Sequence, residues 1–389
     1  MQKNRAPVNE CRKRIFDAIS LAALFVTGFA TMFAFGGTAE AGTSELPVWA
    51  DAKIDEAVAR YRAWKGTDET IAFTFVTDVH SAQTNGCASV DFADTRYHVL
   101  FAQVAADRAE CDFLVDAGDH DFDNGCKSPE EALARLASTE SVYHDYSARP
   151  VLFCLGNHDH GPYPPGGGTR PISSDLYGET LNGLAVRHGF ALTFGDNRSW
   201  GYHDVPGKRF RAIFCNTSDD CYYGFSQSQI AFVEKAFATL PAGWTAAVFC
   251  HYCLFEEIGH WKHFQQGGRV VNKAEFMKVL QDFAKERPND LVGVFCGDSH
   301  FDNALEFRGV NWTISQGYGG VGPDNVPWGA RTVALDRSRD MLFELVAIKP
   351  VKGQFKVFRV GAGGAAFDRT CNYSRAEYSV KESRWSPSG

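Results

Sequence analysis

Five apolar segments of this chain end directly in aspartate, asparagine or histidine, and this pattern limits the possible folds most strongly. The clearest segment runs from Val151 to Leu155 and leads into Gly156-Asn157-His158-Asp159. The five segments are 71–76, 111–115, 151–155, 246–250 and 291–296. Short apolar runs bounded by turn residues are typical of strands that are buried on both faces. Helical spacing between several of them, near 94–109, 128–146, 226–239 and 272–286, predicts an α/β layered fold.

The polar residues that follow the five segments are expected to meet, because ligand sites of α/β sheets lie at the carboxyl ends of strands. These residues are Asp78, His80, Asp119, Asn157, His158, Asp159, His251, Asp298 and His300. Taken singly, such a residue is usually a turn residue or a helix cap. Taken together, buried carboxylates and imidazoles would repel each other or lack partners unless cations lay among them. The pattern predicts two divalent metal ions, and the mixed ligands favour Mn, Fe, Zn or Mg over Ca.

The order of these motifs resembles that of the calcineurin-like metallophosphoesterase superfamily. The matching motifs, over about residues 70–310, are Asp78-x-His80, Gly118-Asp119, Gly156-Asn157-His158-Asp159, His251 and Gly297-x-x-His300. The resemblance implies a four-layer α/β sandwich, in which helices flank two central mixed β-sheets. It also implies a phosphoesterase that hydrolyses phosphate monoesters or diesters.

The resemblance further implies a role for each motif residue. Asp78, His80 and His300 would bind the first ion, Asn157 and His251 the second, and Asp119 would bridge both. Two such ions clamp a phosphoryl group and activate water for attack on phosphorus. His158 would contact the scissile phosphate and protonate the leaving oxygen. Asp159 would orient that imidazole and raise its pKa, as a neighbouring carboxylate does.

Two positions depart from the family pattern. Asp298 stands where the family usually has a histidine ligand of the second ion. Its carboxylate could bind that ion and favour Mn, Mg or Fe over Zn, or the second site could be weak. A weak site would make the chain a phosphate-ligand binding protein on the same fold, which is the main alternative function. The second departure is Phe122, at a position that is usually polar.

The N-terminal sequence predicts export to the periplasm or beyond the cell. A basic stretch, an apolar stretch and Ala39-Glu40-Ala41 form a signal-peptide pattern over residues 1–41. An uncleaved membrane anchor is the alternative, since about 20 apolar residues could span a bilayer. A linker and helix are expected over 42–70, the catalytic domain over 71–349, and a C-terminal β extension and tail over 350–389.

The net charge disfavours nucleic acid and anionic membranes as partners. The chain carries −8 in total, and residues 1–41 carry +2, so the remainder carries −10. An acidic protein of this kind repels polyanions, and the expected partner is a small organic phosphate ester. A cleaved signal peptide would leave no stable membrane anchor.

Export would also expose the cysteines to oxidation. Cys215 with Cys221, and Cys87 with Cys126, are the expected disulfide candidates. Cys250-His251-Tyr252-Cys253 matches a redox C-x-x-C pattern, but a motif histidine lies inside it, and we favour the metal role.

Overall fold

The computed structural model describes most of the chain beyond residue 45. The described residues are 46–80, 92–120, 122, 126–146, 148–162, 169–219, 223–254, 270–307, 309–317, 331–333 and 340–373. The predicted signal peptide lies outside them. Within the described residues, no helix is long and apolar enough to cross a membrane.

The first sheet is mixed and has six strands. They are β1 (Ile71–Val76), β2 (Phe113–Asp116), β3 (Val151–Phe153), β11 (Leu342–Lys349), β12 (Gln354–Gly361) and β13 (Arg369–Asn372). The strand order is β13-β12-β11-β1-β2-β3. Strands β1, β2 and β3 run parallel, whereas β11, β12 and β13 pair in antiparallel fashion from β1 outward. The segment after residue 349 therefore continues the sheet that contains β1.

The second sheet is also mixed and has seven strands. They are β4 (Thr193–Phe194), β5 (Gly201–Val205), β6 (Phe210–Phe214), β7 (Thr245–Phe249), β8 (Leu291–Cys296), β9 (Asn303–Phe307) and β10 (Val310–Ile314). The order is β4-β5-β6-β7-β8-β10-β9. Strands β6, β7, β8 and β10 run parallel to one another, whereas β5 and β9 pair in antiparallel fashion with β6 and β10. Strands β7 and β8 therefore have their carboxyl ends at the same edge of the sheet.

Helices cover the outer face of each sheet. They are α1 (Val48–Lys65), α2 (Phe92–Ala109), α3 (Pro129–Tyr146), α4 (Ser174–Tyr177), α5 (Gly183–Arg187), α6 (Gln227–Ala238) and α7 (Lys273–Glu286). The short helices α4 and α5 are joined by a π-helical turn at Gly178–Asn182. Helix α6 begins where the Ser226 hydroxyl accepts a hydrogen bond from the Gln229 amide. Helix α7 buries Phe276, Leu280 and Phe283 at the spacing that places side chains on one face.

The two sheets pack face to face through phenylalanine side chains. In β1, alternate residues Phe73 and Phe75 point to this inner layer, as the two-residue period of a strand requires. The Phe73 ring lies 5.0 Å from that of Phe113 and 5.1 Å from that of Phe249. Other strand residues face the helices in two outer clusters. The resulting four layers confirm the predicted α/β sandwich of two mixed sheets flanked by helices.

The cysteines differ from the expectation. Cys215 is a free, buried thiol, so the disulfide predicted for it is wrong; Cys221 lies outside the described residues. Cys87, the predicted partner of Cys126, also lies outside them. Cys250 and Cys253 are both free and buried, which gives no support to a surface redox site.

Candidate metal centre

The loops after five strands bring the predicted polar residues together. Residues 77–80 follow β1, 117–120 follow β2, and Asn157–Asp159 forms a 3₁₀ turn after β3. His251 follows β7, and Gly297–His300 follows β8. Their side chains lie where the carboxyl ends of strands from both sheets meet.

Asp78, His80 and His300 form the first cluster of possible ligands. Their ligand atoms all lie within 4.8 Å of one another, and all three residues are buried. The Nε2 atoms of His80 and His300 are 2.9 Å apart, and His300 Nε2 lies 3.1 Å from Asp78 Oδ1. Burial would raise the pKa of Asp78, but the imidazoles of His300 and His80 outweigh it and hold the pKa well below its ordinary value. The aspartate is therefore an anion, ready to bind a cation.

Asp78, Asp119 and His251 form the second cluster, with ligand atoms again within 4.8 Å. His251 Nε2 lies 3.2 Å from Asp119 Oδ1. Its Nδ1 lies 2.7 Å from the Ala117 carbonyl oxygen, which can only accept a hydrogen bond. Nδ1 therefore carries the proton and leaves Nε2 to face the cluster. Because Asp78 belongs to both clusters, the two possible ion sites are adjacent.

Asp119 also reaches both clusters, as its predicted bridging role requires. Its Oδ1 contacts His251, and its Oδ2 lies 3.8 Å from Nε2 of His80. The carboxylate is further held by the amide of His158, which donates to Oδ1 at 3.0 Å. Burial would raise the pKa of Asp119, but His251 and His158 lower it.

Asp298 lies beside the second cluster, and Asn157 directly precedes His158, whose amide donates to the Asp119 carboxylate. Asp298 Oδ1 is 3.7 Å from His251 Nε2, and the Asp298 amide donates to Asp78 Oδ2 at 3.0 Å. Among the described residues, neither Asp298 Oδ2 nor Asn157 Oδ1 has a hydrogen-bond partner, although both atoms are buried. A buried oxygen without a partner is costly unless a ligand contacts it. The residues present therefore fit a pair of metal ions.

Burial and neighbouring charges shift the pKa values of two side chains at the second cluster, His251 and Asp298. Burial alone would lower the pKa of His251, but Asp119, Asp78 and Asp298 outweigh it and raise the pKa well above its ordinary value. Burial raises the pKa of Asp298 to about 7, and Asp119 and Asp78 add to this effect while His251 opposes it. A bound cation would reverse both shifts, because it favours the charged carboxylate and the neutral imidazole.

Five predicted ligands adopt a backbone conformation that ordinary side chains avoid. Asp78, His80, Asp119, Asp298 and His300 have φ between 45° and 63°. Non-glycine residues in this region cost of order 1–3 kcal/mol each and persist where the surrounding structure holds them. Elsewhere in the described residues, Glu110, Arg209 and Asn272 share this property. The concentration of strain at the ligand loops is the pattern found at functional sites.

Glycines allow these loops to approach one another. A Cβ at Gly118, where φ is 89°, would lie 2.5 Å from the Cys154 carbonyl oxygen and 2.6 Å from the Gly156 nitrogen. A Cβ at Gly156 would collide with the Asp119 carboxylate. Gly118 thus lets the loop after β3 approach closely, and Gly156 leaves room for the Asp119 carboxylate.

His158 differs from the ligands because it is half-buried rather than buried. Its ring centroid lies 5.5 Å from that of His80, so it borders the first cluster and still reaches solvent. Asp159 is fully buried, and its carboxylate accepts hydrogen bonds from the amides of Asp119 at 3.0 Å, His120 at 2.7 Å and Gly156 at 2.9 Å. These bonds tie the loops after β2 and β3 together, which is a different task from the predicted orientation of the His158 ring.

Some residues of the site were not predicted from the sequence. The Thr77 hydroxyl donates to Asp78 Oδ2 at 2.7 Å, and Arg170 donates to the Asn157 carbonyl oxygen at 3.1 Å. Thr77 lies directly before a motif, so its position was a usable signal. Arg170 gave none, because it follows a Gly/Pro-rich stretch without a pattern of its own. Phe122 is buried and stacks on His120, so an aromatic contact fills the usually polar position.

The arrangement is suited to transfer of a phosphoryl group to water. Two bound ions would lower the pKa of a coordinated water and neutralise phosphoryl oxygens. Asp78 and Asp119 would supply negative charge to cations bound at these two clusters. His158 supplies a nitrogen at the border of the cluster, where an imidazole can deliver a proton to a departing oxygen.

Comparisons with known proteins agree with this geometry. The family model for calcineurin-like phosphoesterases matches residues 71–302. A dimetal phosphatase from Danio rerio superposes with a TM-score of 0.52 at 12% identity, covering 78% of this chain and 99% of that protein. Purple acid phosphatase from yellow lupin gives a TM-score of 0.46 at 14% identity, covering 75% and 51%. No curated protein matches the chain in sequence.

The family match extends over more than half of the chain, and the Danio rerio structure shares its fold. The match begins at the first strand and ends two residues after the last predicted ligand, His300. The chain therefore belongs to the calcineurin-like phosphoesterase family, whose members are hydrolases that act on phosphate esters.

Proposed function

We propose that this protein is an exported hydrolase of small organic phosphate esters, with Asn157, His251 and Asp298 completing the second ion site. The observation that carries the proposal is the pair of buried ligand clusters that share Asp78. Two such clusters are adjacent, so two ions bound there could contact one phosphoryl group.

His158 is the proposed catalytic acid. Its amide is fixed to the bridging Asp119, while its ring stays half-buried beside His80. A histidine in this position can contact both the phosphate and the leaving oxygen. Loss of its imidazole should therefore lower turnover without removing a metal ligand.

The proposed metals are Mn, Fe or Mg rather than Zn at the second site. A carboxylate, an amide oxygen and an imidazole make a ligand set rich in oxygen, which harder ions prefer. Within the part of the chain that the structure describes, the buried atoms Asn157 Oδ1 and Asp298 Oδ2 lack hydrogen-bond partners, which supports this assignment.

The proposed substrate is small, and a monoester is expected in preference to a diester. The acidic chain disfavours a polyanionic substrate. Arg170 adds a guanidinium group next to the Asn157 carbonyl, which favours the doubly charged phosphate of a monoester.

The proposed export rests on the N-terminal sequence pattern. It is compatible with the free thiols, because burial raises the pKa of Cys215 and Cys250 and keeps them unreactive.

The proposal is tested by metal analysis and a substrate panel on metal-reconstituted protein. We expect close to two ions per chain and hydrolysis of p-nitrophenyl phosphate, with slower hydrolysis of bis-p-nitrophenyl phosphate. His144→Ala serves as the matched control for His158→Ala, since His144 is exposed on helix α3. Fewer than one ion per chain, with no turnover in Mn, Fe, Zn or Mg, would contradict the proposal and favour the phosphate-binding alternative. Processing at residue 41 is tested by N-terminal sequencing of the exported protein.

A further inference from the structure

A buried group of charged side chains lies behind the loop that carries Asp298 and His300. This group, the Arg359 cluster, consists of Arg359, Asp302, Glu344 and Arg369. Their side chains are exposed by 0%, 0%, 2% and 3% respectively. Three of the four come from β11, β12 and β13, beyond the range 71–302 that the family model matches.

Arg359 is the centre of the cluster. Its guanidinium donates to the Asp302 carboxylate and, at 2.9 Å and 3.2 Å, to Glu344 Oε1. It also donates to the Ala362 carbonyl oxygen at 3.3 Å. Arg369 Nη1 lies 3.6 Å from Asp302 Oδ1. Two buried arginines thus face the carboxylate of Asp302.

Asp302 is fixed through its backbone as well as its side chain. Its amide and carbonyl pair with Arg331 at 2.7 Å and 2.8 Å. Its Oδ1 also accepts a hydrogen bond from the backbone amide of Gln316 at 3.1 Å. Asp302 therefore anchors the end of the loop 297–302. The start of this loop is held by the Gly297 backbone amide, which donates to the His251 carbonyl oxygen at 2.9 Å.

Between these two anchors lie the two strained ligands. Asp298 has φ of 63° and His300 has φ of 54°. Such a conformation persists where the flanking structure over-determines it. A buried ion pair is weak evidence for stability, because proteins with apolar residues in its place are often as stable. The informative effect of the Arg359 cluster is therefore the position in which it holds the loop.

We propose that Arg359 and Asp302 are positioning residues of the metal centre. By clamping the end of the 297–302 loop onto the first sheet, the Arg359 cluster keeps Asp298 and His300 directed at the metal ions. The inference rests on the metal centre described above, and it assigns to the C-terminal strands a direct influence on metal affinity.

The test is Mn²⁺ affinity, measured by titration calorimetry on the full chain and needing no turnover. Arg359→Met should weaken Mn²⁺ binding by about 10- to 100-fold, the usual effect of losing a partner that orients a ligand. Arg359→Lys, which retains a positive charge, should recover part of the affinity. Because hydrolysis is not measured, this result is independent of the proposed catalytic activity.

Arg211→Met is the matched control. Arg211 has 4% exposure and pairs at 2.6 Å with Asp204, whose side chain is 38% exposed, so its loss also breaks an ion pair made by a buried arginine. It lies opposite Ala246, at the amino end of β7, whereas His251 follows the carboxyl end. Arg211→Met should lower the unfolding midpoint and change Mn²⁺ affinity by less than about twofold, because no metal ligand depends on it.

Unchanged affinity in folded Arg359→Met would overturn the inference, and so would an equal loss of affinity in Arg211→Met. If Arg359→Met does not fold, Asp302→Asn decides the question. This change keeps the shape of the side chain and an oxygen for the Gln316 amide, but it removes the charge that Arg359 contacts. Asp302→Asn should weaken Mn²⁺ binding, and wild-type affinity in this variant would refute the proposal.

Discussion

Replacing Asp298 by asparagine should stabilise the metal-free protein and weaken metal binding. Asp298 is 6% exposed, and burial raises the pKa of its carboxyl from 3.8 to about 7. A difference of this size corresponds to roughly 4 kcal/mol of destabilisation when the carboxylate is ionised in the folded chain. Asparagine has nearly the same shape and no charge, so the variant avoids this cost.

The pH dependence follows from the direction of the pKa shift. In the unfolded chain Asp298 ionises near pH 4, whereas in the metal-free fold it ionises near pH 7. The unfolded state loses its proton first, so the destabilising effect grows between about pH 4 and pH 7 and is complete above pH 7. Asp298→Asn should therefore match the wild type at pH 4 and exceed its free energy of unfolding by up to about 4 kcal/mol at pH 8.

The assay is urea unfolding at several pH values, with chelator and then with saturating Mn²⁺. With saturating Mn²⁺ the wild type should have the higher free energy of unfolding. A bound ion stabilises the folded state more when it binds more tightly, and the carboxylate of the wild type binds it more tightly than the amide of Asp298→Asn. The control is Glu234→Gln on helix α6, where the side chain is exposed. Its free energy of unfolding should equal that of the wild type at every pH, with and without Mn²⁺. Parallel pH profiles for Asp298→Asn and the wild type in chelator, or equal stabilisation of both by Mn²⁺, would refute the reasoning.

Three further predictions concern catalysis, the loop glycines and the inner core. His158→Ala should lower kcat by about 10²–10⁴ with metal content unchanged by elemental analysis; loss of metal would mean that His158 is a ligand. Gly118→Ala should weaken Mn²⁺ binding in calorimetry, because a Cβ would lie 2.5 Å from the Cys154 oxygen, while the open Gly207 tolerates alanine better. Phe73→Ala should cost about 3–5 kcal/mol in urea unfolding, as its ring packs against three others between the sheets; a loss below about 1 kcal/mol would contradict this packing.

The layered fold could be predicted because its signals are local. Helix α7 has apolar residues at helical spacing, and β1 and β8 are largely apolar runs bounded by turn residues. The antiparallel pairing of β11 with β1 joins segments more than 260 residues apart, and no local pattern encodes such a pairing.

The ligand types could also be predicted, because each stands directly after a strand. Their geometry could not, since the positive φ of Asp78 or His300 depends on contacts from other loops. Asp159 illustrates the difference. Its neighbour His158 suggested one partner, whereas the fold directs its carboxylate to amides of the loops after β2 and β3.

The sequence by itself determined which chemical groups this protein can bring to a metal centre, because strand periodicity and motif order are properties of short segments. The tertiary structure decided which of those groups lie together as possible ligands, with Asp78 common to both clusters. It also decided that Arg359, on a strand that alternates polar and apolar residues over most of its length, contacts Asp302 beside the ligand loop. The physical reason is that charge pairing and strain depend on distances across the fold, and these are set when both sheets pack through their phenylalanine layer.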